Sequence, residues 1–517
     1  MQRICKQCNQ GFEIDERDLE FYKKIEVPPP TLCPEDRAQR RWGFRPKNFY
    51  LRACDNCGKK VMSWISPNSK KIKAYCEDCF KSDEFDAMVY GQDIDFNRSF
   101  FEQFQELFTK VPRHTSNAIN NENSAYIICA HNNKNCYFVD EVDGSWDCYY
   151  GYNVQYCKNL VECLYVRDSE IGYDLIKAEN CYSVFYSKNV FNCKNSAFLL
   201  NCRNCTNCLF CANLRNQEYC IFNKKVSPEE FKKFWDFAFA GKQENVDISK
   251  GKFEEFLKTQ FYPASLIINS EDSEGDYLSN CKNVSDSFCV DNCRDCRYCS
   301  DIHYSKDCYD VNIYEGDLMY ECLHVGPKGY GQFFTQLTWF STNIYYCLDA
   351  RSCRDCFGCV GTKRKEFCIL NKQYSKDQYE SLKAKLIEKI KEDKEWGEFL
   401  PLTMSQFAYN TTMAQRFFPL SKEEVLARGL EWEDEEEKTD FRITDAEKAF
   451  YEKYGIPLPT IAPMKRIEKL WSKMPVRKLR EVKCGKCGIP TKTTLPEELK
   501  DRILCQECYV ASLGSAA

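Results

Sequence analysis

Between residues 129 and 220 the chain has a period of three. Of the twelve cysteines there, eleven share one phase of the triplet: Cys136, Cys148, Cys157, Cys163, Cys181, Cys193, Cys202, Cys205, Cys208, Cys211 and Cys220. The same phase otherwise carries small or aliphatic residues, among them Val139, Val142, Ser145, Val154, Val166, Val184, Ser187 and Ser196. The preceding position is rich in asparagine (Asn132, Asn135, Asn180, Asn189, Asn192, Asn201, Asn204, Asn207), and the third position is mostly large, polar or aromatic. The rhythm returns later. Ten of the twelve cysteines from Cys281 to Cys368 share a phase, Cys289 and Cys322 standing off it, and Asn280, Asn283, Asp286, Asn292, Asp295 and Asp310 hold the preceding position.

Few backbones repeat every three residues. An α-helix repeats at 3.6 and a flat strand at 2. A 3₁₀-helix repeats at 3 but ends after a few residues. Packed polyproline helices need far more Gly and Pro than the 22 and 18 present. A β-solenoid fits better. A coil holding a whole number of triplets stacks small residues over small residues, and Asn or Asp at the corners tolerates left-handed backbone. Stacked asparagines can also form hydrogen-bonded ladders. Cysteine then serves as a small buried hydrophobe.

Runs such as Cys202-x2-Cys205-x2-Cys208-x2-Cys211 invite an iron–sulfur reading. They lack its longer last gap and following Pro, and Val, Ser and Leu replace Cys on the same phase, which no cluster ligand tolerates. Redox-active dithiols are a further alternative, set against thiols buried in an interior. Met1 is followed by Gln-Arg-Ile-Cys, which is no secretory signal, and no apolar run is long enough to span a membrane. A cytoplasmic location is therefore expected, where dense cysteine means metal ligands or buried thiols rather than disulfides.

The two ends are copies at an offset of about 429. Phe12 through Phe21-Tyr22 matches Phe441 through Phe450-Tyr451, and Trp42 matches Trp471. Cys54, Cys57, Cys76 and Cys79 match Cys484, Cys487, Cys505 and Cys508. Two close cysteine pairs suit a closed tetrahedral Zn²⁺ site of structural type, and the closed donor set argues against catalytic zinc. Gly58 and Gly488 follow the first pairs, where a knuckle turns tightly. Val61–Ile65 and Lys71–Tyr75 are expected to form a hairpin between the pairs, and the second pair to open a helix, as in a treble clef or ribbon. The N-terminal copy carries a possible third zinc site, Cys5, Cys8 and Cys33 with Asp36 where a fourth Cys would stand. The C-terminal copy has Ala462 for Cys33 and no upstream pair.

Charge is unevenly spread. Residues 1–80 hold 16 Lys/Arg against 11 Asp/Glu and residues 441–517 hold 15 against 9, so a chain of net charge −5 has a centre of −16. Arg37, Arg40, Arg41, Arg45 and Lys47 stand among Trp42, Phe44 and Phe49, and Lys465, Arg466 and Lys469 stand beside Trp471. Basic and aromatic residues together predict phosphate contact and base stacking, with RNA the favoured nucleic acid. The alternative is a solvated helix face whose aromatics pack on the finger.

The repeat blocks end alike, Glu218-Tyr-Cys220-Ile-Phe-Asn223-Lys matching Glu366-Phe-Cys368-Ile-Leu-Asn371-Lys, and each is followed by a Ser-initiated helix at Ser227 or Ser375. The division expected is a zinc-finger module (1–90), a helical linker (91–116), a solenoid block (117–226), a helical insertion (227–262), a second block (263–374), a helical and acidic linker (375–440, with the run Glu431–Glu437) and a second zinc-finger module (441–517). No phosphate loop, nucleophile elbow, HExxH or dinucleotide fingerprint occurs. His114, His131, His303 and His324 are scattered and expected at the surface or in packing. Gly326-Pro-Lys-Gly-Tyr-Gly331 is expected to be a plain loop.

Leu32-Cys-Pro-Glu-Asp-Arg, the Cys-Ile-Phe/Leu-Asn-Lys closures and Tyr409-Asn-Thr-Thr-Met-Ala-Gln resemble a group of bacterial cysteine-rich zinc-ribbon proteins with NCxxC-type repeats. The resemblance covers nearly the whole chain and implies zinc binding without an assigned activity; Asp36 departs from the CPxC form of that group. The reading reached is a mainly β, zinc-binding, non-enzymatic scaffold with basic ends for nucleic acid. A protein-interaction scaffold using the solenoid faces is the alternative, with a metal- or thiol-dependent enzyme or an iron–sulfur protein behind it.

Overall fold

The computed structural model describes residues 1–69, 71–152, 157–161, 163–164, 166–434, 441–474 and 476–513. Val154 and Glu435–Glu437 of the acidic run lie outside them. The chain is rich in β-structure, with helices between and beyond the β blocks and a cysteine cluster near each end. No helix among the described residues is long and apolar enough to cross a membrane.

The triplet rhythm becomes a parallel register of twelve. Glu170–Glu179, Tyr182–Phe191, Lys194–Leu200, Thr206–Ala212 and Glu218–Ile221 pair in parallel, with Val184 opposite Ser196, Leu199 opposite Cys211 and Cys208 opposite Cys220. Isolated bridges carry the same offset back to Glu122 and Lys134. In the second block Cys296 pairs with Cys308 and Cys356 with Cys368. Twelve residues are four triplets, so each phase lies over itself.

The position before the buried phase is a left-handed corner. Asn189, Asn192, Asn201 and Asn204 have φ of 57°, 53°, 53° and 54°. That conformation costs an ordinary L-residue 1–2 kcal/mol but is readily adopted by Asn. Their amides also bridge successive strands, Asn189 to Asn201 at 3.0 Å, Asn192 to Asn204 at 3.1 Å and Asn204 to Asn216 at 2.8 Å. Where corners are aromatic they stack instead: Tyr186, Phe198, Phe210 and Phe222 follow one another at 5.0 Å. Phe239, capping the helix Pro228–Ala238, meets Tyr186, and Phe253 and Phe256 of the helix Gln243–Leu257 meet Phe198 and Phe222, so this column is covered.

Cysteine suits the interior for a reason beyond size. Carbonyls face inward, and a thiol is a weak donor to them. Cys193 Sγ lies 3.5 Å from the Phe191 carbonyl and 3.7 Å from that of Cys202; Cys211 Sγ lies 3.1 Å from Leu209 and 3.4 Å from Cys220. Serine on this phase does the same. Ser196 Oγ donates to the Lys194 carbonyl at 2.7 Å and accepts from the Cys208 amide at 3.0 Å. Cys148 and Cys157 are joined in a disulfide, an exception to the expectation of free thiols.

The off-phase cysteines have two causes. Cys129 and Cys289 occupy left-handed corners, with φ of 48° and 57°. Cys322 is inward and fully buried because the register slips before it: the Gly316 amide meets Ser305 Oγ across eleven residues, where the Cys299 amide meets Ser287 Oγ across twelve, and Leu323 pairing with Gln336 at thirteen restores the phase afterwards. Gly326–Gly331, expected to be a loop, lies within the long strand Lys306–Phe333. A side chain at Gly326 would overlap the Trp339 indole, so glycine there answers packing.

Each block closes on an asparagine. Asn223 accepts from the Ala212 amide at 3.0 Å and donates back to its carbonyl at 2.9 Å. Asn371 does so with Val360 at 2.8 Å each way, and also donates to the Ala87 carbonyl at 2.9 Å. The blocks lie side by side and run in opposite directions. Arg167 pairs with Asp291 at 3.1 Å while Lys177 sits over Tyr277 at 4.1 Å, rising numbers in one block meeting falling numbers in the other.

Candidate metal centres

The first cysteine pair of each finger lies in the turn of a two-stranded hairpin. Tyr50–Ala53 pairs with Lys60–Ser63, and Arg480–Lys483 with Pro490–Thr493. Gly58 and Gly488 turn the chain at φ of 75° and 76°. This corrects the expected hairpin between the cysteine pairs. The turn reverses the chain directly after Cys57, so the partner of Lys60–Ser63 lies before Cys54. Ala74–Tyr75 pairs instead, in parallel, with Arg113–His114 at the entry to the first block. Its counterpart Ile503–Leu504 pairs with Tyr262–Pro263 at the entry to the second. Cys76 caps the helix Glu77–Lys81, and Cys505 precedes the helix Gln506–Leu513.

The ligand atoms converge. Those of Cys54, Cys57, Cys76 and Cys79 lie within 4.8 Å of one another, as do those of Cys484, Cys487, Cys505 and Cys508 and those of Cys5, Cys8, Cys33 and Asp36. The sulfur pairs Cys57–Cys76, Cys487–Cys505 and Cys8–Cys33 stand 3.7, 3.8 and 3.8 Å apart. A tetrahedron with bonds of about 2.3 Å has an edge of about 3.8 Å. One edge of each group thus already has tetrahedral length, and these groups could hold a metal ion. In the third group Asp36 Oδ2 lies 2.9 Å from Cys5 Sγ and 3.4 Å from Cys33 Sγ, so the carboxylate stands where the fourth sulfur would.

Backbone amides prepare the thiolates. The amides of Cys76, Cys505 and Cys33 donate to the sulfurs of Cys54, Cys484 and Cys5 at 3.2, 3.3 and 3.3 Å. Burial pulls the Cys54 and Cys484 thiols up, but these and neighbouring amide donors outweigh it and bring both to about 6. Among the described residues no cysteines of the β blocks form such a group.

The basic residues expected at a nucleic-acid interface are mostly inside the protein. Arg37 Nε donates to Asp310 at 3.0 Å. Arg40 contacts Glu321 at 2.7 Å and Glu398 at 2.9 Å. Arg41 contacts Glu321 at 2.7 Å and Asp310 at 3.1 Å. Arg45 contacts Glu141 at 2.7 Å and Asp140 at 3.0 Å. Arg466 donates to the Tyr451 hydroxyl at 3.0 Å and lies 3.5 Å from Glu447. All five are buried, and Trp42 and Trp471 with them. Lys47 is half-buried against Glu468 at 3.1 Å, and Lys465 and Lys469 are exposed. Burial of Arg40 and Arg45 would lower their pKa values, yet the carboxylates beside them hold both above the ordinary range.

These pairs explain the charge asymmetry. The basic ends are docked on the acidic centre, Arg37 and Arg41 on the second block and Arg45 on the first. Asp310 stood on the corner phase of the triplet, but its role as an arginine partner had no local signal. The histidines do not gather either: His114 meets Glu77, His131 lies 2.8 Å from Asp143, His303 contacts Arg167 at 3.3 Å, and His324 stacks on Tyr314.

No protein-family model matches the chain, and no curated protein matches it.

Proposed function

We propose that the protein is a zinc-binding, non-enzymatic scaffold. Two β-solenoids of four triplets per coil form its body, and treble-clef fingers hold zinc where each solenoid begins. The observation that carries this reading is the convergence of three thiol-rich donor sets, each with its ligand atoms within 4.8 Å of one another. The donor types favour Zn²⁺, which takes thiolate readily and keeps closed four-coordinate sites. The interior thiols support a packing role, since they donate to carbonyls and Ser substitutes for Cys among them.

Elemental analysis of purified protein tests the proposal. Two or three zinc ions per chain and no iron are expected; iron with visible absorbance would replace this reading with an iron–sulfur protein.

The burial of five arginines withdraws most of the basic residues that motivated RNA contact, and a protein partner is the second reading to test. Capture of a partner that survives nuclease treatment is expected. Salt-dependent RNA binding lost in a Lys465→Ala/Lys469→Ala variant would restore the nucleic-acid reading.

A further inference from the structure

The three metal centres are not equivalent, and the internal duplication shows how they differ. In both copies a proline-started helix follows the Pro-rich turn: Pro34–Trp42 in the first and Pro463–Trp471 in the second. Arg37 and Arg466 occupy matching places on it, as do Trp42 and Trp471, and all four are buried. Asp18 and Glu447 match on the preceding helix and are buried too. Yet the second copy has Ala462 at the cap where the first has Cys33, and it has no upstream cysteine pair. The helix and its docking therefore form without metal ligands. The second copy acts as a control within the same chain.

The remaining contacts of the first centre agree. Its ligands sit on the hairpin Gln2–Ile4 with Gly11–Glu13, which pairs only with itself among the described strands, and on the start of the helix Pro34–Trp42. That helix is held by the ion pairs of Arg37, Arg40 and Arg41 with Asp310 and Glu321. The two four-cysteine centres differ. Each anchors a strand paired to the entry of a β block, Ala74–Tyr75 to Arg113–His114 and Ile503–Leu504 to Tyr262–Pro263. An ion lost there frees the entry of a block; an ion lost from the first centre frees only a short hairpin.

The donor set points the same way. Cys5, Cys8 and Cys33 offer sulfur, but Asp36 offers a carboxylate oxygen. Oxygen is a harder and weaker partner for zinc than thiolate. Gln7 Nε2 already donates to Asp36 Oδ1 at 2.9 Å, so the carboxylate has a hydrogen-bond donor beside it when it leaves the metal.

We infer that Cys5, Cys8, Cys33 and Asp36 form an exchangeable site for a divalent zinc-type ion, loaded and emptied while the rest of the chain stays folded. This rests on the zinc-binding reading above and assigns that site to metal exchange, with the two four-cysteine centres permanently filled.

The test is graded removal of zinc from the full-length, zinc-loaded protein by a chromogenic chelator, followed with circular dichroism and thermal unfolding. One ion of three is expected to leave first, with the far-ultraviolet spectrum and main unfolding transition unchanged, and to return on adding zinc. Asp36→Cys is expected to bind the third ion at least about tenfold more tightly, so that it no longer leaves in a separate step. Cys33→Ser is expected to yield folded protein holding two ions. Release of all three ions together, collapse of the fold with the first ion, or an unfolded Cys33→Ser variant beside an intact Asp36→Cys protein would overturn the inference and leave zinc binding standing. A preparation without zinc would overturn the zinc reading itself.

Discussion

Arg41 and Glu321 meet with neither side chain exposed, Nη1 lying 2.7 Å from Oε2. Arg41 Nε also donates to Asn312 at 2.7 Å, and Arg40 reaches the other Glu321 oxygen at 2.7 Å. Two guanidinium groups from an end module thus share one carboxylate of the second β block. Removing one partner of a buried pair leaves the other charge uncompensated, at a cost of roughly 3–5 kcal/mol. Glu321→Gln is expected to lower the denaturation midpoint by that order. Arg41→Met with Glu321→Leu should cost less than the two single changes summed. Additivity in the double-mutant cycle would mean the pair is not coupled.

Loss of a ligand from a four-cysteine centre should loosen the contact between that module and its block. Cys54→Ser and Cys484→Ser each remove one thiolate from a centre tied to a block entry. Each variant is expected to hold one zinc ion fewer and to unfold at a lower temperature, since a structural zinc site contributes folding free energy directly. Unchanged metal content by mass spectrometry under native conditions would count against the assigned ligands.

Interior cysteines should tolerate serine and resist bulk. Cys208 is fully buried, donates to the Thr206 carbonyl at 3.3 Å and lies on the phase where Ser196 stands. Cys208→Ser is expected to change stability by less than about 1.5 kcal/mol, since the hydroxyl can make the same bond. Cys208→Phe overfills a closed interior and should cost about 1–3 kcal/mol or more. Equal effects in urea unfolding would argue that the site is not packed.

The closing asparagines should differ in weight. Asn371 is fully buried with three side-chain hydrogen bonds, whereas Asn223 is half-buried. Both have positive φ, 60° and 61°, which Ala accommodates poorly. Asn371→Ala is expected to destabilise by about 2–4 kcal/mol and Asn223→Ala by less. Thermal midpoints of the two variants check the order.

His303 should make the molecule acid-sensitive. Burial first, and then Arg167, lower it to about 4, with Asp291 and Asp301 opposing and Lys177 adding to the lowering. An unfolded histidine protonates near 6.5, so the unfolded chain gains a proton in a window where the native one does not. Stability is unaffected by this group above about pH 6.5 and is lost as pH falls toward 4. His303→Gln should flatten that part of the pH profile, by a difference on the order of 2 kcal/mol. An identical slope in the variant would assign the acid sensitivity elsewhere.

Much of the architecture was legible in local pattern. The phase shared by Cys136 through Cys220 marked the inward face, and the asparagines before it marked left-handed corners, because each follows from the backbone of a single triplet. The cysteine pairs with Gly58 and Gly488 marked the metal groups for the same reason. The slip that returns Cys322 to the interior was not legible, since one residue fewer between successive strands changes nothing nearby in sequence. The partner of Lys60–Ser63 was assigned to the wrong side because a knuckle turn and a wider hairpin have similar spacing.

The arginines mark the boundary between what sequence determines and what structure decides. By itself the sequence determined that the ends are basic, the centre acidic and the repeat threefold, for these are properties of residues and their neighbours. Only the tertiary structure decided that Arg37, Arg40, Arg41 and Arg45 face carboxylates inside the protein rather than phosphates outside it. Whether a charge is buried depends on which distant surface packs against it: Asp310 and Glu321 come within reach of Arg37, Arg40 and Arg41, and Asp140 and Glu141 within reach of Arg45, only when the end module docks on the two blocks.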